Sequence, residues 1–290
     1  MDKITEALKQ YPKLSESEIK EQVALILSDK MAPNNNKKVY ENILSCIDLT
    51  SLNTTDTEDS IESMTAKVND FGENYPELRN VAAICVYPSM VKTVHDTLTE
   101  GVEIATVTGS FPHSQTFIEV KMAETSLAIL DGATEIDIVF PIGKLFEEKY
   151  EDIVDEIQEI KAACQDAKLK VILETGILEI KDIENAAILS MECGADFIKT
   201  STGKLSVGAT TTAVYAMCRM IDEYFKISGR KVGIKIAGGV STTEEAVKYY
   251  TIVDAVLGKD WLNKDLLRFG TSKLANVLAT DILGEKKEYF

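Results

Sequence analysis

One lysine, Lys199, lies inside a short apolar segment (residues 197–200) that is followed at once by hydroxyl residues, a glycine and Lys204. Lysine is seldom fully buried unless it has a partner or a chemical task. Burial disfavours the charged form of an amine, so the pKa of Lys199 should fall and a neutral amine become available. A neutral amine on a rigid strand is the group that forms a Schiff base with a carbonyl substrate. The alternative is a lysine near a strand end whose ammonium group reaches solvent.

Further polar side chains lie at the ends of other predicted strands, namely Asp48, Thr50, Asp137, Glu174 and Lys235. Because side chains alternate across a strand, Lys235 shares its face with the small residues Gly233 and Ala237, which leave room for it. Lys199 and Lys235 would lie on neighbouring strands, where each ammonium lowers the pKa of the other. Asp137 could offset this charge and carry protons. Three such groups together favour catalysis over a structural ion pair.

Short apolar segments alternate with longer amphipathic ones throughout the chain after residue 42. The apolar segments are residues 43–49, 81–86, 103–107, 136–140, 171–173, 197–200, 232–236 and 252–257. Such alternation indicates parallel strands joined by helices. Eight repeats in ~250 residues favour an α/β fold of the closed (β/α)8 barrel type, whose active sites lie at the carboxyl ends of the strands. A doubly wound sheet is disfavoured, since no glycine-rich turn follows the first strand.

The chain is predicted to divide into an N-terminal helical extension (residues 1–42) and a barrel (residues 43–290). In the extension, Ile4, Ala7, Leu8 and Tyr11 share a helical period, and a second helix carries Ile19, Val23, Ile26 and Leu27. Three asparagines after Pro33 then indicate a loop. We expect this extension to pack on the barrel as a cap.

The composition excludes several classes of partner. The net charge of -16 argues against nucleic acid and anionic membrane surfaces, because both attract basic protein faces. The five cysteines are widely spaced without a CxxC pair, which disfavours a disulfide framework or a zinc site and fits the cytoplasm. Two separated histidines do not suggest a metal cluster, so no metal is predicted. Cys85 is interpreted as a buried structural thiol, because no histidine is placed to activate it.

Glycine-rich turns follow three neighbouring predicted strands. Gly238 and Gly239 follow the seventh strand, the segment 269–272 follows the eighth, and Gly203 precedes Lys204 after the sixth. Backbone N–H groups in such turns bind anions, and barrels often bind phosphate after strands seven and eight. The sequence therefore predicts a phosphate site to which Lys204 adds positive charge.

Six segments of the sequence are similar to those of a known family. They are DFIKTSTGK at 196–204, ATEIDIVFP at 133–141, KIAGGV at 235–240, AAICVYP at 82–88, IATVTGSFP at 104–112 and RFGTS at 268–272. On these segments, residues 43–283 resemble the deoxyribose-phosphate aldolases, which are class I (Schiff-base) aldolases. The resemblance implies reversible cleavage of 2-deoxyribose 5-phosphate into acetaldehyde and glyceraldehyde 3-phosphate.

The resemblance also implies roles for residues at matching positions. Lys199 would form the Schiff base, and Asp137 and Lys235 would relay protons. Matching phosphate-binding or substrate-contacting positions are Lys204, Gly238, Gly239 and Ser272 for phosphate, and Asp48 and Thr50 near the substrate. No metal or organic cofactor is implied, and the implied assembly is a homodimer with the N-terminal helices as candidate contacts.

Three positions differ from the pattern of the family. Ser241 stands where some members have arginine, and Lys273 stands where some have serine, so the phosphate contacts there differ. Some bacterial members end in a tyrosine that reaches the active site, whereas here Tyr289 is followed by Phe290.

Three other functions stay open at this point. One is a Schiff-base aldolase or transaldolase that acts on a different phosphosugar. Another is a phosphosugar isomerase in which Glu174 is the general base. The third is an inactive barrel that only binds a phosphorylated ligand, against which the presence of Asp137, Lys199 and Lys235 argues.

Overall fold

A computed structural model of the chain describes Glu6 and residues 8–290. Within this part, eight parallel strands form a closed barrel in which each strand pairs with the next and the eighth pairs with the first. They are β1 (Ile47–Thr50), β2 (Ala83–Val86), β3 (Glu103–Val107), β4 (Glu135–Val139), β5 (Lys168–Ile172), β6 (Phe197–Lys199), β7 (Gly233–Ala237) and β8 (Leu267–Thr271). The prediction of a (β/α)8 barrel is confirmed.

Helices surround the barrel, and those that lie between two strands return the chain from the carboxyl end of one strand to the start of the next. They are Glu16–Asn34, Lys37–Leu44, Glu58–Asn74, Val91–Thr97, Ile118–Leu130, Ile142–Phe146, Tyr150–Ala163, Ile180–Glu192, Thr211–Ser228, Thr243–Leu257 and Leu274–Leu283. Several start at a threonine or serine whose hydroxyl accepts from the third backbone N–H of the helix, as Thr242 does from Glu245. No helix in the described residues has the length and apolar composition to cross a bilayer.

The prediction of a strand at residues 252–257 is wrong. These residues end the helix Thr243–Leu257, which begins with a capping box formed by Thr242 and Glu245. A β-branched apolar segment suits a buried helix as well as a strand, and periodicity alone does not separate the two. The eighth strand is Leu267–Thr271, whose apolar pattern is interrupted by Arg268. Residues 43 and 44 likewise belong to a helix and not to the first strand.

The N-terminal extension packs on the helices of the same chain. In Glu16–Asn34, Ile19 and Val23 are buried, and this helix contacts Thr211–Ser228 and Thr243–Leu257. The expected packing as a cap is therefore observed for this helix. Its apolar face is used within the chain.

The other predictions for the two ends of the chain have mixed outcomes. Ile4 and Ala7 lie outside the described residues, whereas Leu8 and Tyr11 are buried. The division at residue 42 stays a prediction, and the helix Lys37–Leu44 crosses it.

Tyr289 lies against an outer helix. Its hydroxyl donates to the Lys67 carbonyl at 2.9 Å, and its ring packs edge-on against Phe71 and Tyr75. These residues are in the second half of Glu58–Asn74 and just after it, towards the end of the barrel where the strands begin. Tyr289 is thus directed away from the rim where the strands end.

Candidate active site

The pairing of β6 with β7 places Lys199 beside Lys235. Both ammonium groups contact one carboxylate oxygen, Asp137 Oδ2, at 2.7 Å from Lys199 Nζ and 2.9 Å from Lys235 Nζ. Asp137 is on β4 and reaches the lysines through the barrel interior. The structure therefore brings together the three residues predicted to carry the chemistry.

Four further side chains, none of them accessible to solvent, join this trio: Asp48, Glu135, Lys170 and Arg268. The contacts are Lys170 Nζ to Asp137 Oδ1 (2.9 Å) and Glu135 Oε2 (2.7 Å), Arg268 Nη2 to Glu135 Oε1 (2.8 Å), Arg268 Nη1 to Asp48 Oδ1 (2.6 Å), and Lys235 Nζ to Asp48 Oδ2 (2.5 Å). We call these seven side chains the barrel charge network.

The barrel charge network contains three carboxylates and four basic groups. If all were ionised, one positive charge would be unbalanced in an interior where an unpaired charge costs several kcal/mol. Loss of one proton balances the network. Lys199 contacts one carboxylate, whereas Lys170 and Lys235 each contact at least two. Lys168, which is partly exposed, lies 3.7 Å from Glu135 at the edge of the network and also forms an ion pair with Asp265.

Lys199 is the member of the network that is held closest to neutrality. Burial lowers the pKa of its amine, Asp137 opposes this effect, and the ammonium of Lys235 adds to it, with a lowered pKa as the result. A lowered pKa increases the fraction of neutral amine near pH 7, which is the nucleophilic form.

Lys235 behaves in the opposite way. Burial would lower its pKa, but its contacts with Asp137 and Asp48 raise the pKa well above the ordinary value. The expectation that the two lysines depress each other is therefore wrong for Lys235. Burial would likewise raise the pKa of Asp137, yet Lys170, Lys199 and Lys235 hold it well below its usual range. In the free protein, Lys235 and Asp137 thus form an ion pair next to a removable proton on Lys199.

Glycines provide the space for the long side chains of β6 and β7. A Cβ at Gly233 would lie 2.3 Å from the ring of Phe197. A Cβ at Gly270 would lie 3.1 Å from both Lys235 Cε and Ala237 Cβ. Gly270 on β8 therefore leaves space for Lys235, in addition to Gly233 and Ala237, which the sequence places on the same face as Lys235.

A cavity of about 370 Å³ opens at the carboxyl ends of the strands, next to Lys199. Its wall includes Thr50, Leu52, Lys199, Thr202, Gly203, Lys204, Gly238, Gly239, Ser241, Gly270, Ser272 and Lys273. All four residues predicted to bind phosphate are in this set, as is Thr50. Lys204 Nζ donates to the Leu52 carbonyl, which holds its ammonium at the wall. Asp48 is placed differently from the expectation, because it lies inside the barrel charge network and contacts Lys235 and Arg268.

Gly238 and Gly239 have the conformation that an anion-binding turn requires. Their φ angles are 87° and 83°, in the region that side chains rarely adopt. A Cβ on Gly238 would also lie 2.8 Å from the Cα of Gly208. Glycine is needed here for both reasons, and the exposed backbone N–H groups can approach a phosphate closely.

Glu174 holds a loop of the cavity wall. Its carboxylate accepts from the Thr202 backbone N–H at 3.2 Å and from Thr202 Oγ1 at 2.5 Å. Its φ of 56° is unusual for a residue other than glycine. Both oxygens are thus occupied by the loop that carries Lys204, which disfavours the alternative of Glu174 as a general base.

Comparison with known proteins identifies the family of this chain. A model of the DeoC/LacD family aldolases matches residues 43–274, which is most of the chain. The chain belongs to the DeoC/LacD aldolase family.

Individual relatives of this aldolase are similar over most of their length. A Caenorhabditis elegans protein named "Putative deoxyribose-phosphate aldolase" is 38% identical over 243 residues, covering 82% of this chain and 80% of the relative. The crystal structure of a "putative deoxyribose-phosphate aldolase" from Coccidioides immitis has a TM-score of 0.73 at 26% identity, covering 93% and 98% of the two chains. A deoxyribose phosphate aldolase from Aeropyrum pernix with a "unique tetrameric structure" has a TM-score of 0.66 at 25% identity, covering 92% and 98%.

Three residues of the barrel charge network of this aldolase were not predicted from the sequence: Glu135, Lys170 and Arg268. A signal for one of them exists, because Glu135 and Asp137 are two residues apart on β4 and therefore share a face. Lys170 was missed because it precedes the apolar residues 171–173 and resembles a charge outside the strand. Arg268 was missed because β8 was predicted in another segment.

Cys85 is a buried thiol of β2. Cys85 is buried, as predicted, and burial raises the pKa of its thiol, so that the group is neutral near pH 7. Within residue 6 and residues 8–290, no group of three or more histidine, cysteine or acidic side chains is arranged to hold a metal ion.

Proposed function

We propose that this aldolase reversibly cleaves 2-deoxyribose 5-phosphate to acetaldehyde and glyceraldehyde 3-phosphate through a Schiff base on Lys199. The observation that supports this proposal best is the asymmetry of the two lysines. Lys199 has a lowered pKa and lies on the cavity wall, whereas Lys235 has a raised pKa and is enclosed by carboxylates. The names of the relatives support the choice of substrate.

The proposed reaction begins when the neutral amine of Lys199 attacks the aldehyde carbon C1 of the open-chain sugar. Loss of water gives an iminium ion, which can accept an electron pair. Removal of the proton from the C3 hydroxyl then breaks the C2–C3 bond, so that glyceraldehyde 3-phosphate leaves and an enamine remains. Protonation at C2 and hydrolysis release acetaldehyde and regenerate the amine. Asp137 and Lys235, together with water, take and return these protons.

The phosphate group would lie at the turns that contain Gly238 and Gly239, with Lys204 and Ser272 beside them. Backbone N–H groups and an ammonium at this end of the cavity suit a phosphate dianion. Binding energy from this remote group would position C1 next to Lys199. Ser241 and Lys273 also line the cavity. Ser241, after β7, stands where some family members have arginine, and Lys273, after β8, supplies a positive charge on the β8 side of the same wall.

Reductive trapping tests the proposal directly. The protein is incubated with acetaldehyde and sodium borohydride, digested, and analysed by mass spectrometry. We expect a single reduced adduct on Lys199. An adduct on Lys235 alone, or none, would contradict the assignment. Turnover of 2-deoxyribose 5-phosphate measured against fructose phosphates distinguishes this activity from that of another Schiff-base aldolase.

Replacing Lys204 with methionine should weaken substrate binding more than catalysis. Loss of a charge-assisted contact costs about 1.5 to 3 kcal/mol, so KM for the phosphorylated sugar should rise by about 10- to 100-fold with kcat changed by less than about threefold. Steady-state kinetics measure both. With unphosphorylated 2-deoxyribose, the KM and kcat of Lys204→Met should equal those of the wild type. The outer-surface variant Lys248→Met should have wild-type KM and kcat with both sugars. Equal losses with both sugars would argue against a phosphate contact.

Replacing Glu174 with glutamine should reduce kcat/KM by less than about tenfold, because an amide oxygen can still accept from Thr202. If Glu174 were the general base of an isomerase, the same change would lower kcat by about 10²- to 10⁴-fold. The kinetics of Glu174→Gln therefore separate a role in holding the loop from a role in proton transfer.

We also propose that the protein needs no metal or organic cofactor, works as a homo-oligomer and is cytoplasmic. The tetrameric relative from Aeropyrum pernix supports self-association. The five cysteines are buried free thiols, which supports a reducing compartment. An assay after chelation and extensive dialysis should show undiminished activity.

A further inference from the structure

The loop that follows β6, residues 201–210, contacts the Gly238–Gly239 turn through two residues that do not line the cavity, Gly208 and Ala209. The Ala209 backbone N–H donates to the Gly238 carbonyl at 3.1 Å. Gly208 lies so close to the same carbonyl that a Cβ on Gly208 would overlap its oxygen. The loop and the turn are therefore packed backbone against backbone. We call residues 201–210 the β6 loop.

This contact sets the direction of one group that can bind an anion. The Gly238 carbonyl and the Gly239 N–H belong to one planar trans peptide unit, so the two bonds point in opposite directions. With the carbonyl held by Ala209, the Gly239 N–H is directed away from Ala209. Among the residues that the structure describes, none accepts a hydrogen bond from this N–H, and Gly239 lines the cavity. The N–H is thus available to the phosphate of a substrate.

Tyr249 holds the other backbone polar group of Ala209. It lies on the helix Thr243–Leu257, is 9% exposed, and its hydroxyl donates to the Ala209 carbonyl at 2.9 Å. Burial, with a smaller contribution from Glu245, raises the pKa of Tyr249 to about 12, so the hydroxyl stays protonated near pH 7. Ala209 is therefore joined to Tyr249 through its carbonyl and to Gly238 through its N–H.

The β6 loop has little other support near this end. Residues 203–207 are exposed, and Lys204 is among them. Glu174 holds the start of the loop through Thr202. Because few side chains of the loop are packed, its hydrogen bonds largely determine where it lies. Tyr249 supplies one of these bonds at the far end, next to the Gly238–Gly239 turn.

We propose that Tyr249 and Gly208 are positioning residues for the phosphate of the substrate. Neither lines the cavity. Tyr249 holds Ala209, and Ala209 and Gly208 together hold the peptide unit whose N–H would donate to the phosphate. The inference rests on the proposed function, in which this end of the cavity binds the 5-phosphate of the sugar.

Replacing Tyr249 with phenylalanine removes the hydroxyl and keeps the ring. Loss of this hydrogen bond should raise KM for 2-deoxyribose 5-phosphate by about 2- to 10-fold, with kcat changed by less than about twofold. KM for unphosphorylated 2-deoxyribose should stay at the wild-type value, because that sugar has no group for the turn. Steady-state kinetics with the two sugars measure these values.

Tyr250→Phe is the matched control. Tyr250 is the next residue of the same helix, is 6% exposed, and its hydroxyl accepts from Asn42 Nδ2 at 3.2 Å. Asn42 lies just before β1, at the opposite end of the barrel from the cavity. This variant loses a hydroxyl of the same kind and should keep the wild-type KM with both sugars. An unchanged KM in Tyr249→Phe, or equal increases in the two variants, would overturn the proposal.

Gly208→Ala tests the second positioning residue. Its methyl group would displace the Gly238 carbonyl, and KM for the phosphorylated sugar should rise by at least about tenfold, since a misplacement of about 1 Å can cost about 10²-fold. Acetaldehyde has no phosphate, so borohydride trapping on Lys199 should proceed at the wild-type rate. Loss of trapping together with the rise in KM would show that Gly208 supports the whole site, which would refute its specific role.

Inorganic phosphate separates this inference from the proposed function. Phosphate should raise the melting temperature of the wild type and of Tyr250→Phe equally, and should raise that of Tyr249→Phe less at the same concentration. Absence of a shift in the wild type would contradict the phosphate site itself. A shift that Tyr249→Phe retains in full would overturn the role of Tyr249 and leave the proposed reaction standing. A reduced shift in Tyr249→Phe, in a protein that does not cleave 2-deoxyribose 5-phosphate, would refute the reaction and support the positioning role.

Discussion

Replacing Lys199 with methionine should abolish aldol cleavage and leave the barrel folded. Because the proposed reaction has no other nucleophile, kcat should fall by at least about 10⁴-fold, and borohydride should trap no adduct. Methionine is close to lysine in length and is apolar, and Asp137 keeps its contacts with Lys170 and Lys235. The free energy of unfolding should therefore change by less than about 1.5 kcal/mol. Activity, trapping and denaturant unfolding measure these three quantities.

Lys235→Met is the matched control, because it removes the neighbouring lysine from the same carboxylate oxygen. With the ammonium of Lys235 gone, the pKa of Lys199 should rise, since one cause of its lowering is removed. The neutral amine exists above its pKa, so the rising limb of trapping against pH should move to higher pH in this variant. Trapping that is abolished at every pH by Lys235→Met but survives in Lys199→Met would reverse the two assignments.

The contact between Lys199, Asp137 and Lys235 could be predicted from the sequence because it follows from strand parity. Each residue lies within or at the end of an apolar segment, and parallel strands in a closed barrel direct such side chains to one interior. The order of the strands then makes β6 and β7 neighbours. Only the pairing register, which sets Lys199 opposite Lys235, required the structure.

The pKa of Lys235 could not be predicted in the same way. The sequence gives the proximity of two lysines but not the number of carboxylates around each of them. Asp48 was expected beside the substrate, whereas in the structure it turns towards Lys235 and Arg268. Asp137 and Asp48 together raise the pKa of Lys235 against the effect of burial. Local periodicity carries no information about ion pairs between strands that are distant in the chain.

The position of β8 illustrates a second limit. Its sequence, Leu267–Thr271, is short and contains an arginine and a glycine, whereas residues 252–257 are apolar except for Asp254. Hydrophobicity therefore favoured the wrong segment. Arg268 is tolerated in the barrel because Asp48 and Glu135 neutralise it, and Gly270 is needed because Lys235 occupies the space above it. Both exceptions to an apolar strand come from the barrel charge network.

Replacing Arg268 with methionine should impair both stability and catalysis. The change leaves Asp48 and Glu135 without their guanidinium partner, and breaking a buried pair costs about 3 to 5 kcal/mol of unfolding free energy. It also leaves three carboxylates facing three lysines, so that the network is balanced when Lys199 keeps its proton. The pKa of Lys199 should therefore rise, and trapping near pH 7 should fall, although Arg268 does not line the cavity. Denaturant unfolding and the pH profile of trapping measure the two effects.

A compensating substitution separates the charge of the network from its packing. In the double variant Arg268→Met with Glu135→Gln, two carboxylates face Lys170 and Lys235, so Lys199 can again lose its proton without leaving an unbalanced charge. Trapping near pH 7 should recover towards wild type, even where stability is not restored, because the new amide still needs hydrogen-bond partners. If Arg268→Met lost activity only through misfolding, the double variant would be no more active than the single one. Recovery of the pH profile would instead show that the charge balance of distant strands sets the reactivity of Lys199.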